Sequence, residues 1–87
     1  MYNEKNILCA EILLAKYFTE HRNPEWHPVK EVLGTVKFQG ITKSEFKEAR
    51  KRLVIESKAF GGEYKWKWNN EADPDMVWAE KSKELWR

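Results

Sequence analysis

Lys43, Lys47 and Lys51 recur every fourth residue, about one helical turn apart, with Ser44 beside them and Arg50 close by. Cations at that spacing put a ribbon of positive charge along one helix face, which is the chemistry of phosphate binding. Lys58, Lys65 and Lys67 follow in a stretch where charged and aromatic residues alternate. The charge balance concentrates in the same place. Residues 37–68 hold nine Lys/Arg against four Glu, whereas the flanking segments are slightly acidic and the whole chain is only +2. A near-neutral domain with a basic middle third points to a localised face for a polyanion. An ordinary solvated helix surface is also rich in lysine, so the fold must decide between the two readings.

Other chemistry has less support. Tyr64, Trp66 and Trp68 share one side of an alternating segment and could stack on unpaired bases. In a small domain, though, such a stripe is expected to pack on the helices beneath it. His21 and His27 lie near Glu20 and Glu25, but the spacing matches no zinc pattern and Cys9 is far along the chain. Cys9 reads instead as a small, semi-buried helix residue, and His21 as a partner for a helix C-terminus. Glu71, Asp73 and Asp75 fall in a short loop, where they solvate it or cap a helix. No nucleophile–base arrangement, glycine-rich phosphate loop or paired carboxylate motif is recognisable, so neither an enzyme nor a cofactor is expected, and no metal site.

These side chains need elements to hold them. Residues 4 to 20 repeat apolar positions at helical spacing (Ile7, Ala10, Leu14, Tyr17, Phe18), with Asn3 or Asn6 as cap. A second stripe, Leu8, Ile12 and Ala15, predicts that this helix is packed on two sides, within the domain or at a subunit interface. Asn23-Pro24 ends it. Pro28 suits a first helical position, so a short helix is expected from Pro28 to about Val36, burying Val29, Val32 and Leu33, before a turn at Gly40. Thr42-Lys43-Ser44-Glu45 is a capping box, and Ile41 with Phe46 makes the matching hydrophobic staple. Phe46, Ala49 and Leu53 line the buried face of that third helix, and Lys43, Ser44, Lys47, Glu48 and Lys51 the opposite one. Val54 to Phe60, Gly61-Gly62 and Glu63 to Trp68 read as a hairpin. Asp73-Pro74 then opens a last helix, about 74–86, with Trp78, Leu85 and Trp86 on its apolar side.

Eighty-seven residues, 41% hydrophobic with five tryptophans, suffice for one core but not two. We therefore expect a single domain over residues 1–87, its core in 4–68. A mean hydropathy of −0.81 and one cysteine suit a solvated protein of a reducing compartment, placed in the cytoplasm. No segment reads as a membrane span or a secretory leader. The expected fold is mainly α with a small β-hairpin, a winged helix-turn-helix: three helices, a two-stranded wing and an additional C-terminal helix.

From Gly40 to Trp68 the chain resembles the winged-helix segments at the ends of phage and mobile-element replication proteins (primase and helicase-like ATPases). Gly40, Ile41 and Thr42 match the start of the pattern. Ala49, Arg50, Lys51 and Leu53 match its helix end, and Gly61, Gly62, Trp66 and Trp68 its hairpin. Val54 stands where that pattern has glycine, so a left-handed glycine cap is missing from the third helix. The resemblance implies binding of double-stranded DNA in replication or transcription regulation. The expected contacts are Lys43, Ser44, Lys47, Arg50 and Lys51 on the helix, with Lys58, Lys65 and Lys67 on the wing. The alternative is a protein-interaction or dimerisation module, a homodimer or a docking domain for a replication or transcription partner. A continuous positive face would favour DNA; neutralisation by Glu45, Glu48 and Glu56 would favour protein.

Overall fold

The computed structural model describes residues 3–37 and 40–85. Helix α1 (Glu4–Glu20) starts where expected because the Asn3 side chain accepts from the Lys5 and Asn6 N–H groups at 3.0 and 3.2 Å. It is the central element and it is covered on two sides. Ile7, Ala10, Leu14, Tyr17 and Phe18 face the body of the domain, and α4 (Pro74–Leu85) lies against it as well. Ala15 of the second stripe is fully buried, with Leu8 and Ile12 half-buried. Glu11, an interruption in the apolar pattern, is buried too, and Lys81 of α4 meets its carboxylate at 3.1 Å. A buried carboxylate needs such a partner. Trp78 and Leu85 of α4 are half-buried, whereas Trp86 lies outside the described residues.

Two further strand residues join the hairpin. His27–Pro28 forms β1, which pairs antiparallel with β3 (Glu63–Trp68), and β3 pairs in turn with β2 (Ile55–Phe60), giving the order β1-β3-β2. The sheet thus has three strands where the sequence suggested two. A two-residue strand is too short to show alternation, so nothing in the sequence marked it. Pro28 is extended (φ −55°, ψ 131°) and lies opposite Lys65, so α2 runs Val29–Val36, starting one residue later than expected. Of its apolar residues Val32 and Val36 are buried, and Val29 and Leu33 pack on the core edge. Gly61 and Gly62 both take positive φ (56° and 87°), which lets two residues close the hairpin.

Helix α3 (Lys43–Arg52) opens on the capping box read from the sequence. The Glu45 N–H donates to the Thr42 hydroxyl at 3.2 Å, and the Thr42 N–H to the Glu45 carboxylate at 2.9 Å. The same carboxylate accepts from the Asn6 side chain and the Asn3 N–H, both at 3.2 Å. One acid therefore ties the starts of α1 and α3 together. Phe46, Ala49 and Leu53 are buried, in one core with Ile7, Leu14, Val32, Ile55 and Trp66. At the other end Val54 itself adopts the left-handed conformation (φ 59°). The turn is made without glycine, held by buried Leu53 and Ile55 on either side and by the Asn70 amide donating to the Leu53 carbonyl at 3.0 Å.

The architecture is a mainly helical domain, three helices followed by a β-hairpin with α4 packed on α1, consistent with the winged-helix plan. Among the described residues no helix is long and apolar enough to cross a membrane.

Candidate nucleic-acid interface

Because Phe46, Ala49 and Leu53 fix the rotation of α3 on the core, Lys43, Ser44, Lys47 and Lys51 are all exposed on its outer side. That side faces the hairpin across an open trough. Ser44, Lys47, Lys51 and Arg50 line one wall, and Ser57, Tyr64 and Trp66 the other. Arg50 does two things here. It lines the trough, and its Nη1 donates to the Ile55 carbonyl at 2.7 Å with the guanidinium 5.9 Å from the centre of the Trp66 ring. It therefore braces β2 against α3 as well as supplying charge.

Of the three acids that could neutralise this surface, Glu45 and Glu56 lie away from it, and Glu48 lines it but is engaged by Arg52. Glu45 is buried in its knot with Thr42, Asn3 and Asn6, and those hydrogen bonds, the Thr42 N–H foremost, hold its pKa below the usual carboxylate value. Glu48 sits at the trough's edge and accepts from Arg52 at 3.1 Å, one turn on. Arg52 is held from its other side by Glu4 at 2.8 Å. Glu56 lies on the far face of the hairpin, opposite Lys67. Among the described residues no carboxylate comes within ion-pairing distance of Lys43, Lys47 or Lys51.

The wing lysines do not share the α3 side. The register pairs Lys58 with Lys65 and Glu56 with Lys67, and these residues point to the outer face of the hairpin, away from Ser57, Trp66 and Tyr64. Lys58 and Lys65 are directly opposite one another, and both ammonium groups lie 5.5 Å from the centre of the Phe60 ring. Like charges so placed repel across a strand pair. Lys67 is occupied differently. It pairs with Glu25 at 2.7 Å, which raises its pKa above that of an ordinary lysine, and lies over the Trp26 ring. The eight expected contacts thus form two groups, five on the α3 side and three on the other face of the blade.

The aromatic stripe divides as well. Trp66 is 2% exposed and central to the core, and Trp68 is half-buried against Phe18. Tyr64 is 62% exposed, contrary to the expectation that the whole stripe packs inward. The reason is its place next to the hairpin tip, opposite Ala59, beyond the reach of the core. Sequence reasoning also passed over Lys30, which α2 carries to an adjoining groove that shares Val29 and Tyr64 with the trough. The signal available was its exposed position next to half-buried Val29 in the first turn of an amphipathic helix. His21 and His27 belong to an aromatic cluster. The Tyr17 hydroxyl lies 3.1 Å from His27 Nδ1, while His21 stacks on Tyr17 and its Nδ1 lies 3.0 Å from the Tyr17 carbonyl at the end of α1. No group of three or more metal-binding side chains occurs among the described residues.

Comparison with known protein families, curated proteins and solved structures finds no match to this chain.

Proposed function

We propose that this chain is a DNA-binding domain that docks on double-stranded DNA, with α3 in the major groove and the hairpin against the flanking backbone. The observation that carries the reading is the set Lys43, Lys47 and Lys51, exposed and with no ion pair among the described residues, on the side of α3 that faces the wing. Lysine ammonium groups in that state suit phosphate oxygens, with Ser44 able to donate a further hydrogen bond. The Lys58/Lys65 pair on the blade's outer face adds to this reading, since a phosphate between the two ammonium groups would offset the repulsion that remains beside the Phe60 ring. The motif residues Gly40 to Trp68 favour a role in replication or transcription regulation of a phage or mobile element, in the cytoplasm.

The test is a titration with duplex oligonucleotides at several salt concentrations. Affinity should fall steeply with salt, and each lysine removed from a phosphate contact should reduce the slope by about one. The paired change Lys47→Glu and Lys51→Glu should leave the melting temperature unchanged and abolish most duplex affinity. A wild-type protein that binds no duplex at about 50 mM salt refutes the reading.

A protein-interaction role has one observation in its favour. Cys9, Ile12 and Leu13 of α1 and Leu85 of α4 border a shallow depression whose lining is wholly apolar. None of these residues lines the trough, so a second copy seated there would leave the DNA face open. Sedimentation of wild type and Ile12→Glu at several concentrations separates a dimer from a monomer.

A further inference from the structure

Followed toward the hairpin tip, the trough changes character. Beside Lys43 it adjoins an open groove of about 680 Å³ bordered by Val29, Leu33 and Gly34 of α2 and by Tyr64 and Gly62 of the hairpin. That size falls within the range of small-molecule clefts. The lining is more apolar than polar, and its charged residues are Lys30, Lys43 and Glu63. A duplex backbone can satisfy the two lysines. It offers nothing planar and apolar to cover an exposed tyrosine ring that borders the same groove as Val29 and Leu33. A single nucleotide offers both: a flat base for the ring and a phosphate for the ammonium groups.

The geometry points to a stacking site for an unpaired nucleobase on Tyr64, with Lys30 and Lys43 on the adjoining phosphates. This inference rests on the duplex-binding reading above, because Lys43 joins this groove to the lysine ribbon of α3. The domain accordingly prefers a duplex that ends in a single-stranded tail over the same duplex with blunt ends. Tyr64 is available for this because its cross-strand neighbour is only Ala59 and the core stops at Trp66. Trp66 and Trp68 take no part, since both rings are packed against the body of the domain. Stacking of this kind is tolerant of sequence, so the preference is for an unpaired strand and not for a particular base.

The experiment compares three fluorescent probes under one buffer condition: a blunt duplex, the same duplex with an unpaired thymidine tail on either end, and the tail alone. Wild-type protein should bind the tailed duplex at least about five-fold more tightly than the blunt one, the lower end of what one base–aromatic stack supplies. Tyr64→Ala should bring the ratio of tailed to blunt affinity down to about one, whatever its effect on the blunt duplex, and Tyr64→Phe should restore that ratio. Lys30→Ala should reduce the increment and the salt dependence of the tail's contribution. Because Tyr64 is mostly exposed, the melting temperature of each variant serves as a check that folding is unchanged. A blunt duplex that binds as tightly as a tailed one overturns the stacking site and leaves the duplex reading standing. So does a Tyr64→Ala variant that loses the same factor on both probes. If the tail alone binds and the blunt duplex does not, the duplex reading fails and the stacking site survives it. Failure of all three probes to bind overturns both.

Discussion

Val54 gives the sharpest test of the backbone that aims α3 at the wing. It is a β-branched residue at φ 59°, a conformation that costs an ordinary L-residue roughly 1–2 kcal/mol relative to the right-handed one. The residue is 53% exposed, so comparing valine with glycine directly would mix strain relief with loss of partial packing. Comparing Val54→Gly with Val54→Ala removes that ambiguity, because the two variants differ by one methyl group. At an unstrained position alanine is the more stable of the two by about 0.4–1 kcal/mol, since glycine leaves the unfolded chain more freedom. At a left-handed position alanine retains the strain and glycine does not, so the order inverts. Setting 1–2 kcal/mol against 0.4–1 leaves glycine ahead by about 0.8 kcal/mol, within a range of about 0 to 1.6. In a domain of this size that is a melting temperature about 3–6 °C higher for Val54→Gly than for Val54→Ala. Val54→Asn should fall between them, because asparagine tolerates this region. Thermal unfolding followed by circular dichroism measures all three. Alanine melting above glycine by the usual margin would refute the left-handed turn, and with it the angle between α3 and β2 that shapes the trough.

Further outcomes follow from the same packing. Phe46→Ala should lose about 3–5 kcal/mol, since the ring is 4% exposed in the centre of the core; an unchanged melting temperature would mean α3 is rotated differently. Arg50→Ala should destabilise the fold measurably, whereas Lys47→Ala should not, because only Arg50 also holds the Ile55 carbonyl and the Trp66 ring. His27 is buried beside Tyr17, and burial lowers its pKa below the ordinary value near 6.5. The folded state therefore refuses a proton that the unfolded chain accepts. Stability is complete above about pH 6.5 and declines as pH falls toward the lowered value, by at most about 1.4 kcal/mol per pH unit for one proton. Urea midpoints between neutral pH and the carboxylate range measure this, and a His27→Phe variant whose midpoints decline just as steeply would show that another group is responsible.

How much of this was legible in the sequence depended on whether the signal was local. The capping box at Thr42 and Glu45 and the Gly61-Gly62 turn are each decided within a few residues and lie where the sequence put them, and of the two candidate caps for α1, Asn3 and Asn6, the chain uses Asn3. The β1 strand is not local. His27 and Pro28 are extended because β3, nearly forty positions further on, offers them an edge. Pro28 can begin a helix or end a strand, and only the tertiary pairing chooses. Val54 shows the opposite case. The absent glycine was visible, but whether the chain would avoid the left-handed turn or accept its cost depended on Leu53 and Ile55 being buried on both sides.

The site divided along the same line. Which face of α3 carries charge follows from helical periodicity, so Lys43, Lys47 and Lys51 were readable as a set. Which face of the hairpin the wing lysines occupy is equally readable from alternation, since Lys65 and Lys67 must oppose Tyr64, Trp66 and Trp68. What alternation cannot give is where the core ends along a strand. Trp66 and Tyr64 have the same parity, yet one is sealed in the core and the other is mostly exposed two residues nearer the turn, past the end of the core. A stripe of aromatics at a hairpin is therefore core at its root and surface at its tip. The functional question passes to the residue nearest the turn, where the two lysine-bearing helices and the wing leave Tyr64 uncovered.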